Sequence, residues 1–243
     1  SVVDTFYESI THIIVPRPPT IQWMTSASGG DFKSSTFILE NPKPIIKEAY
    51  PCLDDYESIE KFMADFINSD SNILFLYGSP GQGKTELIRN LMFQTGSDVL
   101  LTYSEAVIES DVLFSHFIES NNDLLVIEDA DTMLAKREDG NSNMKKLLNI
   151  TDGLTSNKCK KVIFTSNLLT LDDVDSALLR EGRCFAVLHF KPFSHVRART
   201  ILDVMGTDVD LDLQKTWSLA DLYAVKNGEY FKKKRVAPSK FGF

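Results

Sequence analysis

Residues 73–85 read Ile73-Leu74-Phe75-Leu76-Tyr77-Gly78-Ser79-Pro80-Gly81-Gln82-Gly83-Lys84-Thr85, an apolar run that breaks into a glycine-rich turn. The run predicts a short strand buried on both faces. The spacing GxxxxGK(S/T) lets backbone without side chains close around phosphate, its N–H groups pointing inward and the positive end of the next helix behind them. Lys84 is expected to reach the β- and γ-phosphates of a nucleoside triphosphate, and Thr85 to offer its hydroxyl to a Mg²⁺ ion bridging them. Glu86 to Gln94 sets Leu87, Ile88, Leu91 and Met92 on one face of that helix, which Gly96 ends. The candidate phosphate-binding residues are Gly78, Ser79, Pro80, Gly81, Gln82, Gly83, Lys84, Thr85 and Glu86.

Working outward, Asp98 to Thr102 reads as a second strand, and residues 103–120 as a loop and helix carrying Leu113, Phe114 and Phe117. A third strand, Leu124-Leu125-Val126-Ile127, ends in Glu128-Asp129-Ala130-Asp131. In a parallel sheet, charges appear where a strand leaves the core at its C-terminal edge, beside the ligand crevice. Glu128 is the candidate for the metal shell and Asp129 for the group that orients or deprotonates the attacking water; a solvated loop acid is the plainer alternative. Residues 142–151 read as a helix with Met144, Leu147 and Leu148 inward. Lys161 to Thr165 gives a fourth strand, followed by Ser166 and Asn167, whose amide can accept and donate at once toward a γ-phosphate and a water; a turn asparagine is the alternative. Residues 174–180 read as a short helix and Cys184 to Phe190 as a fifth strand, with Arg180 and Arg183 between them.

Strands alternating with helices define an α/β fold with an open, parallel, five-stranded sheet. Four divisions result: a small N-terminal β element over residues 1–49, a core over 50–191, a helical lid over 192–230 and a basic tail over 231–243. The N-terminal element rests on two extended segments, around 21–24 and 35–39, flanking Gly29-Gly30. Residues 56–67 place Ile59, Phe62, Met63 and Phe66 on one face of an amphipathic helix. The lid rests on helical patches at Val196 to Met205 and Leu219 to Val225.

The 243 residues are 43% hydrophobic and 25% charged, enough for one sizeable core and a small satellite. A net charge of −8 opposes broad attachment to nucleic acid. The local exception, Lys232-Lys233-Lys234-Arg235, reads as a solvated tail or a binding patch. Cys52, Cys159 and Cys184 form no CxxC pair, which fits a reducing compartment. With no bilayer-length apolar stretch and no basic-then-apolar start, a cytoplasmic protein without a membrane segment is expected. The chain opens on Ser1 rather than Met, leaving room for a trimmed targeting segment.

Together these motifs resemble the AAA branch of the AAA+ ATPases, over about residues 50–225. GSPGQGKT is similar to the Walker A loop of those P-loop NTPases, LLVIEDAD to Walker B, VIFTSN to the sensor-one strand and DSALLREGR to the arginine-finger segment. The Glu-Asp order, LLNITDGL at 147–154 and WSLADL at 217–222 look closest to the Rieske-protein translocase ATPases of mitochondria and their bacterial and viral relatives. The resemblance implies ATP and Mg²⁺ as ligands and a homo-oligomeric ring, a hexamer or heptamer, with ATP between neighbours. In it Asn167 would be the sensor, and Arg180 and Arg183 would reach the neighbour's γ-phosphate; surface ion pairing is their plainer role. Ser218 to Asp221 would match the lid segment near the adenine. The implied work is to remodel or move a macromolecule, a protein ahead of a nucleic acid. A nucleotide-dependent scaffold and a DNA motor are the alternatives. Most relatives order Walker B as Asp-Glu, so the reversed pair shortens the presumed base by one methylene. Residues 103–109 also lack the aromatic-aliphatic-glycine pore loop of unfoldases.

Overall fold

The computed structural model describes residues 17–27, 31–134 and 160–230. The expected helix at 142–151, the Gly29-Gly30 turn, Cys159 and the basic cluster at 232–235 lie outside these residues.

Seven strands form one sheet: β1 (Thr20–Ser26), β2 (Phe32–Ile38), β3 (Ile73–Gly78), β4 (Val99–Thr102), β5 (Leu124–Ile127), β6 (Lys161–Ser166) and β7 (Cys184–Phe190). Their spatial order is β2-β1-β4-β5-β6-β3-β7. All neighbours are parallel except the β1–β2 hairpin. The sheet therefore contains the five expected parallel strands and two more. The extra pair arises because Ile21, Gln22 and Trp23 continue the sheet in parallel beside Val99, Leu100 and Leu101. Asp98 anchors this junction, accepting hydrogen bonds from the Thr20 N–H (2.8 Å) and hydroxyl (2.8 Å) and pairing with Arg17.

The central strands carry side chains into apolar layers on both faces, as their unbroken apolar runs require. Leu74, Leu76, Val99, Leu124, Val126, Ile163 and Leu188 meet one layer. That layer holds α1 (Ile59–Asn68), α2 (Lys84–Thr95), α5 (His195–Val204) and α6 (Leu219–Lys226), the last two contributing Ile201, Leu202, Leu222 and Val225. Ile73, Phe75, Leu100, Leu125, Ile127, Val162 and Phe164 face the other, beside α3 (Glu105–Glu109) and α4 (Asp111–Glu119). Of the loop and helix expected over 103–120, the helix is α4, with Leu113, Phe114 and Phe117, and the loop contains a helix of its own, α3. The break falls at Ser110, whose hydroxyl bonds the Val107 carbonyl at 2.7 Å while its backbone is extended. Residues 174–180 form turns rather than a helix: the Asp175 carboxylate takes the Ala177 N–H at 2.9 Å, and the Asp175 N–H goes to the Leu134 carbonyl at 3.0 Å.

Two devices fix the helices that border the site. The Ser218 hydroxyl takes the Asp221 N–H and the Asp221 carboxylate returns to the Ser218 N–H, a complete capping box at the start of α6. Gly96 ends α2 in left-handed backbone. Phe193 and Trp217 exchange backbone hydrogen bonds of 2.7 and 3.0 Å, so the segment between them is closed at its base.

Candidate nucleotide site

The strand order brings the candidate residues together. β3 leads into the glycine loop, β5 into the acids and β6 into Asn167, and β6 lies between β3 and β5. Asn167 consequently stands between the glycine loop and the acids. Its carbonyl oxygen accepts from the Lys84 amine at 3.1 Å, and its amide N–H donates to the Asp129 carboxylate at 2.8 Å. The amide accepts and donates at once, linking the loop to the acids.

Lys84 is buried, and its amine also donates to the carbonyls of Gly78 (2.5 Å) and Ser79 (3.2 Å). Burial pushes its pKa below the usual lysine value, while the charges of Asp129, Asp131 and Glu128 pull it back up. Thr85 donates its hydroxyl to the Glu128 carboxylate at 2.8 Å. Gly78 and Ser79 thus turn their carbonyls to Lys84, while Pro80, Gly81, Gln82, Gly83, Lys84 and Thr85 line a cleft of about 670 Å³ with Glu128, Asp129, Thr165 and Asn167. Glu86 also lines it, but its carboxylate takes the Lys43 N–H at 3.0 Å.

The opposite wall of this cleft comes from α6 and the residues after it. Leu219, Ala220, Tyr223, Ala224, Asn227 and Glu229 line it. The Ala220 N–H donates to the Gly81 carbonyl at 3.0 Å, so α6 is bonded directly to the glycine loop. Gly83 makes the close approach possible: its φ is +95°, and a Cβ there would come within 2.7 Å of Leu219. The Lys43 ammonium lies 4.2 Å above the Tyr223 ring at this end.

The arginines differ. Arg180 is exposed, with no side-chain partner among the described residues, whereas Arg183 donates to the Ala177 carbonyl of its own chain. Neither contributes to the lining of this cleft.

Four residues of the site have no individual role assigned by the sequence. Asp131 accepts from the Ser166 hydroxyl (2.5 Å) and the Asn167 N–H (3.2 Å), bracing the end of β6; its only signal was its place as third acid of the run. Thr165 takes the Asp129 N–H on its hydroxyl at 3.1 Å, a bond that depends on register alone. Lys43 and Tyr223 meet across 180 residues of chain and carry no local motif.

The donor set suits its expected ligands. A hydroxyl paired with a carboxylate is a hard-oxygen set, which Mg²⁺ takes in small number while it keeps phosphate and water. Among the described residues no group of three or more His, Cys, Asp and Glu could hold a metal ion. Thr85 and Glu128 are the residues that would hold Mg²⁺. Burial pushes the Cys52 thiol up to about 12 and that of Cys184 to about 11, which favours the thiol over the reactive thiolate at neutral pH.

A parallel α/β sheet whose glycine loop, buried lysine and acidic strand end share one cleft defines a P-loop nucleoside triphosphatase. More narrowly, residues 74–192 match the ATPase family associated with various cellular activities (AAA). The chain is 29% identical over 163 residues to the 26S proteasome regulatory subunit 4 homolog of Schizosaccharomyces pombe, covering 57% of this chain and 36% of that protein. It is 29% identical over 198 residues to the ATP-dependent zinc metalloprotease FtsH 2 of Thermoanaerobacter, covering 76% and 38%. It is 31% identical over 122 residues to the probable mitochondrial chaperone BCS1-A of Dictyostelium discoideum, covering 44% and 28%. The chain therefore spans well under half the length of these relatives. No helix among the described residues is long and apolar enough to cross a membrane.

Proposed function

We propose that this protein works as a homo-oligomeric ring whose ATP hydrolysis remodels or moves a partner protein. One observation carries the proposal for the site: two hydrogen-bonded sets of side chains, Thr85 with Glu128 and Lys84 with Asn167 and Asp129, line a single cleft with the glycine loop. In this reading the loop N–H groups and Lys84 bind the phosphates, and Thr85 with Glu128 holds Mg²⁺. The bound ion would supply neutralisation of charge on the phosphate oxygens. Asp129 orients the attacking water and receives its proton, and Asn167 holds Asp129 in place. Arg180, exposed and without a partner among the described residues, is suited to act on a neighbour's nucleotide; Arg183 would need to leave the Ala177 carbonyl to do the same.

The partner class rests on the relatives, named for a proteasome, a protease and a chaperone, and on the net charge of −8. The Glu-Asp order, with Leu147 to Leu154 and Trp217 to Leu222, is what supports a place near the Rieske-protein translocase ATPases. Cytoplasmic residence belongs to the same proposal. The test is a pair of variants. Lys84→Ala is expected to abolish ATP binding, and Asp129→Asn to bind ATP and leave it uncleaved; steady-state ATPase activity unchanged in both would refute the assignment. Specific activity rising with protein concentration supports the ring, whereas ATP-dependent assembly without turnover would replace the motor by a scaffold.

A further inference from the structure

Asp129 is the one non-glycine residue with positive φ among the described residues, at +51°. L-residues disfavour this left-handed region by roughly 1–2 kcal/mol, and Asp and Asn enter it far more readily than Glu. The chain around it explains how the conformation is held. The Glu128 N–H still bonds the Thr102 carbonyl across the sheet at 3.0 Å. One residue later the backbone turns, and both following N–H groups go to a single residue on the adjacent strand. The Asp129 N–H meets the Thr165 hydroxyl at 3.1 Å, and the Ala130 N–H meets the Thr165 carbonyl at 2.9 Å. Thr165 is itself only 3% exposed and lines the cleft beside Asp129.

We propose that Thr165 is a positioning residue for hydrolysis: its hydroxyl and carbonyl clamp the Asp129–Ala130 backbone in the turn that sets the Asp129 carboxylate against Asn167. This deepens the proposed function and rests on its assignment of Asp129 to the attacking water. It also accounts for the reversed acid order. A straight strand end would leave the shorter acid one methylene behind a glutamate. The left-handed turn instead carries its carboxylate to 2.8 Å from the Asn167 amide. The same turn selects against glutamate at position 129, because the conformation it needs is one that Asp tolerates and Glu does not. Order and backbone therefore belong together: the long acid, Glu128, ends the straight strand and reaches Thr85, and the short acid occupies the turn.

The test is Thr165→Val, which keeps the branched shape and removes the acceptor. Turnover and the affinity for ADP–aluminium fluoride, a mimic of the reacting phosphoryl group, are each expected to fall roughly 10- to 100-fold, the scale of a misplacement near 1 Å. Affinity for a slowly hydrolysed ATP analogue stays within about twofold, because the phosphate loop is untouched. Thr165→Ser, which restores the hydroxyl, returns both quantities to within about threefold of the parent. In an Asp129→Asn background, Thr165→Val has no further effect on the affinity for ADP–aluminium fluoride, since the group it positions is gone. Parent-like turnover and aluminium-fluoride affinity in Thr165→Val would overturn the proposal while leaving the ATPase assignment standing, as would equal losses for the ATP analogue. If Thr165→Val does not fold, the decision passes to Thr165→Ser, where loss of turnover overturns the clamp. A parent protein without ATPase activity would instead remove the reading on which the clamp rests.

Discussion

Replacing Gly83 by alanine separates the backbone requirement of the phosphate loop from its contact with α6. Gly83 has φ +95° and Gly96 has φ +67°, so an alanine at either position carries the left-handed penalty. At Gly96 a Cβ meets nothing within 4 Å, so the penalty stands alone. At roughly 1–2 kcal/mol, and with about 2–4 °C of melting temperature per kcal/mol for a chain of this size, Gly96→Ala should melt about 2–8 °C lower with ATP affinity unchanged. At Gly83 the Cβ would also sit 2.7 Å from the Leu219 Cδ2 and 3.4 Å from the Tyr50 hydroxyl. An ordinary carbon–carbon contact is about 3.5–4.0 Å, so the leucine must give way by about 1 Å. Leu219 is buried at the start of α6, so its methyl has little room to turn aside, and any movement of the helix instead stretches the 3.0 Å hydrogen bond from Ala220 to Gly81. We expect Gly83→Ala to show at least the melting loss of Gly96→Ala and, in addition, at least a roughly tenfold loss of ATP affinity, about 1.4 kcal/mol. Fluorescent-nucleotide titration and thermal denaturation measure both. The double variant Gly83→Ala/Leu219→Ala, relieved of the clashing methyl, should recover part of the affinity relative to Leu219→Ala alone. Parent-like affinity in Gly83→Ala, or no coupling in that cycle, would refute the reasoning.

Two further outcomes rest on the charges. Burial holds the Lys84 pKa below its usual value, so the cationic form is disfavoured in the free fold and is present only below that lowered pKa. Phosphate favours the cation, so ATP affinity should weaken as pH rises through the lowered pKa, below the ordinary lysine range; a Lys84→Arg variant that still binds should lose that slope, and an identical slope in both would count against Lys84 as its source. Of the two arginines, Arg180→Ala should keep the parent melting temperature and ATP affinity while losing assembly-dependent turnover. Arg183→Ala removes a donor to the Ala177 carbonyl and should destabilise the fold by about 1–2 kcal/mol. Melting curves and activity against protein concentration distinguish them, and a reversed pattern would exchange their roles.

The features legible in the chain are those that local chemistry encodes. Ile73 to Tyr77 and Leu124 to Ile127 read as buried strands because they are apolar without interruption, and the glycine loop read as phosphate-binding because its spacing is mechanistic. The contacts among the acids, Lys84 and Asn167 were not legible, because they depend on β6 lying between β3 and β5, an order set by pairing across long stretches of chain. The hairpin was visible from the extended segments around Gly29-Gly30, but its pairing with β4 was not. Ile21, Gln22 and Trp23 carry no mark that selects Val99 to Leu101 as their neighbours. The break at Ser110 was hidden for a different reason: Leu113, Phe114 and Phe117 keep helical spacing on one side of it, and only the serine's bond to Val107 ends the preceding helix.

The two walls of the cleft are coupled by residues of the proposed binding site. On one wall, Gly81 offers its carbonyl to α6 while the neighbouring loop backbone is the part proposed to enclose phosphate. On the other, Tyr223 lies one turn along α6 from Ala220 and carries the Lys43 ammonium on its ring. Lys43 is in turn tied by its backbone to Glu86, just beyond Thr85. A displacement of α6 therefore cannot leave both contacts intact: moving it away from the loop breaks the Ala220–Gly81 bond, and rotating it in place moves Tyr223 from under Lys43. Because each contact is short-ranged, the position of α6 and the shape of the phosphate loop form one equilibrium, and a ligand that favours one arrangement of the loop must shift the helix by the difference in its affinity for the two.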